Sequence, residues 1–274
     1  MQVSKRRHFG MMHAEVYFSP IISVQLREIS DCDLISFIQA KEAVQGAHAL
    51  RTLHLDLLLD ENMLLNNMSR TTRYQIHRAQ ERDNIEAIVI DRPHCQHIRD
   101  FCEFYDTFAA TKSLRLSRLE RFLALNESGG LVLSKVADTD QIPLCWHAYV
   151  VDGERALLLY SASHMHKYTS SSQRALLGRA NRYLHWVDIK TFKEAGFLIL
   201  DFGGLSGPRG DGWARGIDEF KRGFGGFEIV EYNYRCGRSL AGKLATSVRW
   251  ALDRPYALSH RRHRTDEARA RSGE

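Results

Sequence analysis

The stretch Gly216–Gly226 reads GIDEFKRGFGG, and it follows LDFGGLSG at Leu200–Gly207. Together they set Lys221 directly after Phe220 and three residues before Phe224, with glycines on both sides. Just upstream, FLILDF (Phe197–Phe202) is almost unbroken in apolar residues, as expected for a strand covered on both faces. Phe220 and Phe224 are four apart, so on a helix they share one side and enter the core, leaving Lys221 turned away from it. Glycines 203, 204, 207, 225 and 226 permit positive φ and close backbone approach. A buried strand, a glycine loop and a short helix are expected, with an ammonium held near the strand end, where open sheets with parallel strands place their sites.

Working outward, QRALLGRANRYLHWVDIKTFKEAG before that strand repeats Leu176, Leu177, Ala180, Leu184, Val187 and Phe192 at helical spacing, with Gly196 as its C-terminal stop. Three strand-like runs precede it: LVLSKVAD from Leu131, PLCWHAYVV from Pro143 and ALLLYSASH from Ala156. The short turns between them predict an antiparallel meander. A helix between two strands of one sheet requires a crossover, so the strands flanking it are expected to be parallel neighbours. FEIVEYNYRC reads as a further strand, followed by a basic amphipathic run, SLAGKLATSVRWALDRPYALSHRRHR, and a C-terminal dozen expected to be disordered. Toward the N-terminus, Cys95–Leu125 reads as helix broken near Thr111–Ser117, IEAIVI (Ile85–Ile90) as a strand, and Met68–Asp83 as a basic helix capped by Ser69. Residues 1 to about 60 carry a few strands and a helix, and no internal repeat is apparent.

The 274 residues are 44% hydrophobic, enough for one large core. The net charge of +5 and a pI near 9.0 suit a phosphate-bearing partner and equally a plain basic surface. Five cysteines fall in no CxxC pair, so neither a disulfide framework nor a thiolate zinc site is expected. The paired histidines 94/97, 164/166 and 260/263 lack acidic or thiolate companions, and no metal is expected. No run is long and apolar enough for a membrane span and no signal peptide is apparent, so a cytoplasmic protein is expected, with the basic tail as a site of peripheral membrane contact.

This element order is that of the GNAT acyltransferases. More specifically, ANRYLHWVDIKTFKEAGFLILDFGG followed by GIDEFKRGFGG resembles the Fem-type aminoacyltransferases, which build peptidoglycan bridges, and RTTRYQIHRA is similar to that family's RYxIRRA segment. The resemblance runs from about Arg70 to Tyr234. It implies an α/β chain with a mixed α+β sheet: a shortened N-terminal GNAT-like region (1–92), a GNAT-like acyltransferase domain (93–240), and a basic helix with a tail (241–274). The family carries two such domains and a helical arm; here the N-terminal part is too short for a complete first copy, which leaves the amine acceptor open.

The activity implied is direct transfer of an aminoacyl or acyl group to a small or peptidic amine, forming an amide, with no tightly bound cofactor. Lys221 matches the lysine at the family's reaction centre and Phe220 shapes its pocket, while packing accounts equally for Phe220 and Phe224. Asp201 either orients the amine or, more simply, ties down the loop. Tyr160, Ser161 and Ser163 stand where this fold opens its sheet to an acyl carbonyl, as oxyanion donors or as ordinary strand residues. Asn181, Arg182, Gly203 and Gly204 are candidate substrate contacts, and His147 and His185 are bases or packing residues. SSSQRALLGRAN has Ala175 where the CoA-binding loop of GNAT enzymes carries Arg or Gln. That departure favours aminoacyl-tRNA as donor, with phosphate contacts from Arg73 and Arg78, over acyl-CoA or an acyl carrier protein acting on an amino sugar or amino acid. A non-catalytic Fem-like binding protein is the third reading.

Overall fold

The computed structural model describes residues 1–163, 170–206 and 212–253, with side chains up to residue 247. The His164/His166 and His260/His263 pairs, Gly207 and the basic tail from Arg249 lie outside the described side chains. Among the described residues no helix is long and apolar enough to cross a membrane.

The chain forms β1 (Gln2–His8), β2 (Met11–Tyr17), α1 (Ile22–Glu28), β3 (Leu34–Ala40), β4 (His48–Asp56), α2 (Glu61–Asn67), α3 (Arg70–Arg82) and β5 (Glu86–Asp91). It continues with α4 (Cys95–Thr111), α5 (Leu119–Glu127), β6 (Leu131–Ala137), β7 (Pro143–Val151), β8 (Arg155–Ser163) and α6 (Ser171–Glu194). The last elements are β9 (Ile199–Gly204), α7 (Gly212–Arg222), β10 (Phe227–Gly237) and α8 (Leu240–Asp253). Among the described residues, ten strands join one mixed sheet in the order β1-β2-β3-β10-β4-β9-β8-β7-β6-β5.

The expected meander is present as β6–β7–β8, extended by antiparallel β5. The predicted crossover is α6: β8 and β9 run parallel, paired through Arg155–Leu157 and Ile199–Asp201. Beyond Leu157 and Asp201 that pairing ends. Alternation along β9 then assigns each side chain its face. Leu200 and Phe202 join the core under α6 with Trp186, Ile189, Phe192 and Phe224, while Asp201 points to the side of α4 and α5.

The sheet repeats itself in a way the residues do not announce. β2 crosses over through α1 to its parallel neighbour β3, as β8 crosses through α6 to β9. β4 and β10 are then exchanged: β4 adds to β9, and β10 adds to β3. The two exchanged strands pair antiparallel with each other at the centre, from Phe227↔His54 to Asn233↔His48. Even the irregularities correspond, since Gln39 on β3 and Gly203 on β9 both have positive φ beside a register shift. Each wing therefore completes its sheet with a strand from the other, and one continuous sheet spans the chain up to residue 237.

Candidate functional site

At the end of β9, past its last pair with β8, α7 and the turn after it pack against the strand. Gly203 shows why this strand end is glycine: at φ +74 a Cβ would sit 3.2 Å from the carbonyl oxygen of Leu158. Gly226 is stricter still, since at φ +90 its Cβ would fall 2.3 Å from the His54 carbonyl oxygen. These contacts bring α7 and the start of β10 down onto the sheet.

α7 delivers Phe220 and Lys221. The Lys221 ammonium donates to the carbonyl oxygen of Gly204 at 2.7 Å, which fixes it at the end of β9. Burial lowers its pKa from the ordinary lysine value, partly offset by the negative charges of Asp201 and Asp218. Asp218, one turn earlier, accepts from the Ser206 backbone N–H and hydroxyl and so clamps the loop after β9 onto α7. The Phe220 ring lies between the guanidinium of Arg182, 4.6 Å away, and the ring of Phe224. Phe224 is fully buried against Phe202 and His185, so its role is packing. Arg182 donates to the Gly178 carbonyl at 3.2 Å, and its buried Nε has no partner among the described residues.

Ser161 and Ser163 pair across to His147 and Cys145, which face α6, so both serines are on the same side of the sheet as Arg182. Asn181 is committed to His147, Oδ1 to Nε2 at 2.9 Å, and His147 bonds Asp188 through its other nitrogen at 2.7 Å. His185 stacks on His147 at 4.1 Å, and burial first, then nearby positive groups, holds its pKa well below the usual value. It is a neutral imidazole behind Phe220. His147, His185 and Asp188 have ligand atoms within 4.8 Å of one another, as do His54, Asp201 and Glu231. The two imidazoles of the first group stack instead of converging on a common point, and Arg155 fills the second.

One sequence expectation changes, and one of two readings is selected. Tyr160 does not join Lys221: Leu159 is an extra residue on β8 at the register shift, and Tyr160 faces α4 and α5, against Tyr105, Phe101 and Phe122. Asp201 is fully buried on that same side, accepting from Thr52, Gln39, Arg155 and the Gly203 N–H. With its lone pairs so committed, it ties down the glycine turn at the end of β9. Arg73 and Arg78, on α3, bond Asn66 and Tyr74, neighbours along the same stretch of chain.

Sequence reading missed the feature on the Tyr160 side, a cavity of about 900 Å³ whose wall includes Arg6, Glu15, Arg118, Arg121, Tyr160 and Arg235. Its residues come from β1, β2, β3, β4, β8, β10, α8, α5 and the stretch leading into α5, and no local pattern links them.

No family model matches the chain, and no curated protein matches it by sequence. Solved structures do match in fold. One is FemX, at TM-score 0.58 and 12% identity, covering 86% of this chain and 84% of that one. Another is the C-terminal domain (DUF2156) of an Agrobacterium fabrum protein described as a lysylphosphatidylglycerol synthetase, at TM-score 0.55, 14% identity and 90% and 87% coverage. L-PGS from Bacillus licheniformis aligns at TM-score 0.52 and 13% identity over 90% and 84%. The chain has the Fem/GNAT-like acyltransferase fold, and the likeness runs through both wings of the sheet.

Proposed function

We propose that this protein transfers an aminoacyl or acyl group directly to an amine, forming an amide, at the end of β9 where its pairing with β8 stops. The observation that carries the reading is the Lys221 ammonium, fixed by the Gly204 carbonyl at the end of β9, next to Phe220, whose ring lies under the Arg182 guanidinium. An ammonium has three donors, and the Gly204 carbonyl uses one. The remaining two are available to an oxyanion. As the amine attacks the acyl carbon, negative charge grows on the carbonyl oxygen, where a fixed cation in a partly dry site stabilises the transition state most. The new C–N bond forms, the C–O bond of an aminoacyl ester breaks, and the amine proton leaves with the departing oxygen. Burial makes Lys221 a stronger acid than a free lysine, and so a stronger hydrogen-bond donor to the carbonyl oxygen.

Aminoacyl-tRNA is the donor we favour, because the N-terminal turn of α6 has Ala175 at the position where CoA-dependent relatives of the fold carry Arg or Gln. The test is incorporation of a radiolabelled amino acid from a mixed charged-tRNA pool into amine acceptors, with and without ribonuclease. Transfer that survives ribonuclease and runs on an acyl-thioester would replace tRNA with acyl-CoA. A Lys221→Met protein as active as the parent would remove the catalytic reading.

A further inference from the structure

We propose that Asn181 is a second catalytic hydrogen-bond donor to the acyl carbonyl, held and polarised by a buried network of Tyr149, Asp188 and His147. Asn181 shares the oxyanion with Lys221, so its assignment rests on the reading of Lys221 given above.

The network starts inside the protein, between β7 and α6. Asp188 is fully buried, and its Oδ2 accepts from the Tyr149 hydroxyl and from His147 Nδ1, each at 2.7 Å. Burial, and then the Asp188 charge, raise the Tyr149 pKa well above its ordinary value, so that hydroxyl keeps its proton and donates. His147 is fully buried as well, and its Nε2 meets Asn181 Oδ1 at 2.9 Å. Both ring nitrogens face oxygen acceptors and both donate, which makes His147 an imidazolium. The charge balance agrees. A carboxylate taken out of water requires a counter-charge, and among the described residues His147, with no lysine or arginine, is paired with Asp188. His147 is therefore a fixed cation and not the base.

Asn181 carries the effect outward. Its Oδ1 is taken by the imidazolium, which fixes the amide plane and turns Nδ2 away from His147. Nδ2 has no acceptor among the described residues and is not sealed from solvent. A hydrogen bond from a cation draws electron density toward Oδ1 and leaves the Nδ2–H groups stronger donors. The neighbours of this amide are those of Lys221. Arg182, the next residue, covers the Phe220 ring at 4.6 Å, and His185, one turn further on, lies 5.6 Å from that ring and stacks on His147. After burial, the charges of His147, Arg182 and Lys221 lower the His185 pKa, so the buried network and the Lys221 ammonium act on one ring. A carbonyl oxygen between Lys221 and Asn181 gains donors from two different helices, fixed before the charge develops. No bond to Asn181 forms or breaks, and the amine proton and the C–O bond go as described for Lys221.

Asn181→Asp tests this, because a carboxylate still accepts from His147 but offers the substrate no donor. The assay uses the full chain and whichever of the charged-tRNA and acyl-thioester donors the parent accepts. The kcat should fall about 10²-fold, with KM for donor and amine within about threefold of the parent and no drop in melting temperature. His147→Gln, which can still donate to Asn181, should keep about tenfold more activity than His147→Leu. A kcat for Asn181→Asp within about threefold of the parent, or a loss confined to KM, would overturn the proposal even if both His147 variants fail to fold. If Lys221→Met loses activity and Asn181→Asp does not, the Asn181 assignment alone fails. If both stay active, or the parent transfers from neither donor, the acyltransferase reading of the site fails with it.

Discussion

Arg155 on β8 reaches across β9 and β4 to Glu231 on β10, Nη1 to Oε1 at 2.7 Å, and also bonds Asp201 between them. The ion pair thus ties the β8 wing to the strand that completes the opposite wing. Breaking a buried pair on one side strands its partner, so Arg155→Met should destabilise by about 3–5 kcal/mol. Urea midpoints measure this, and adding Glu231→Gln to Arg155→Met should recover part of the loss.

Lys221→Met should leave the urea midpoint within about 1 kcal/mol of the parent, since the side chain makes one hydrogen bond at a partly open site. Transfer activity should fall by about 10²–10³, the scale for losing one oxyanion donor. Because the folded pKa of Lys221 lies below its unfolded value, the unfolded chain binds more protons between the two. Stability should therefore rise with pH through the window just below 10.5, and Lys221→Met should flatten that rise.

Acid should act through two groups with opposite charge habits. Asp201 is held at about 2 although burial opposes it, with His54 and Arg155 the main causes, so its stabilisation is present above 3.8 and lost as pH falls toward 2. That loss is on the order of 2 kcal/mol. His13 titrates near 4 when folded and 6.5 when not, so its contribution also declines as pH drops, but through the higher window from 6.5 to 4. Melting curves from about pH 7 to about pH 3 should show both limbs, and His13→Gln should remove the upper one alone.

Gly226→Ala should be among the most damaging single-methyl changes in the chain. The added Cβ meets the His54 carbonyl and the φ of +90 is strained for any other residue, a combined loss of more than about 3 kcal/mol. Gly216, with open space around its Cβ position on α7, should tolerate or gain from alanine. Soluble yield and melting temperature of the two variants test the contrast.

The carboxy-terminal wing is readable from sequence because its signals are local. The β6–β8 alternation, the helical period of α6 and the apolar run into β9 each lie within one stretch of chain. Phe220 and Lys221 are readable for the same reason. What escapes depends on distant pairing: β10 lies between β3 and β4, some two hundred residues from its partners, and no period encodes that choice. Nor does a seven-residue α1 look like the counterpart of the 24-residue α6, which is why the repeat is invisible in the residues. Tyr160 ends on the other face because one extra residue, Leu159, reverses the facing that simple alternation suggests. The arginine-lined cavity is assembled by the sheet curling β1 toward α5, so its members are scattered from Arg6 to Arg235.

The exchange of β4 and β10 also bears on how the protein is made. Until residues 227–237 have left the ribosome, β3 and β4 have no neighbour on their inner edges. The nascent chain then displays two open strand edges, which invite pairing with other chains. The β5–β9 wing already has β4 when β9 is made, but the β1–β3 wing lacks its completing strand until β10 appears, so that wing waits for nearly the whole chain. A chain released before β10 is complete would be a substrate for chaperones or proteases rather than a working half.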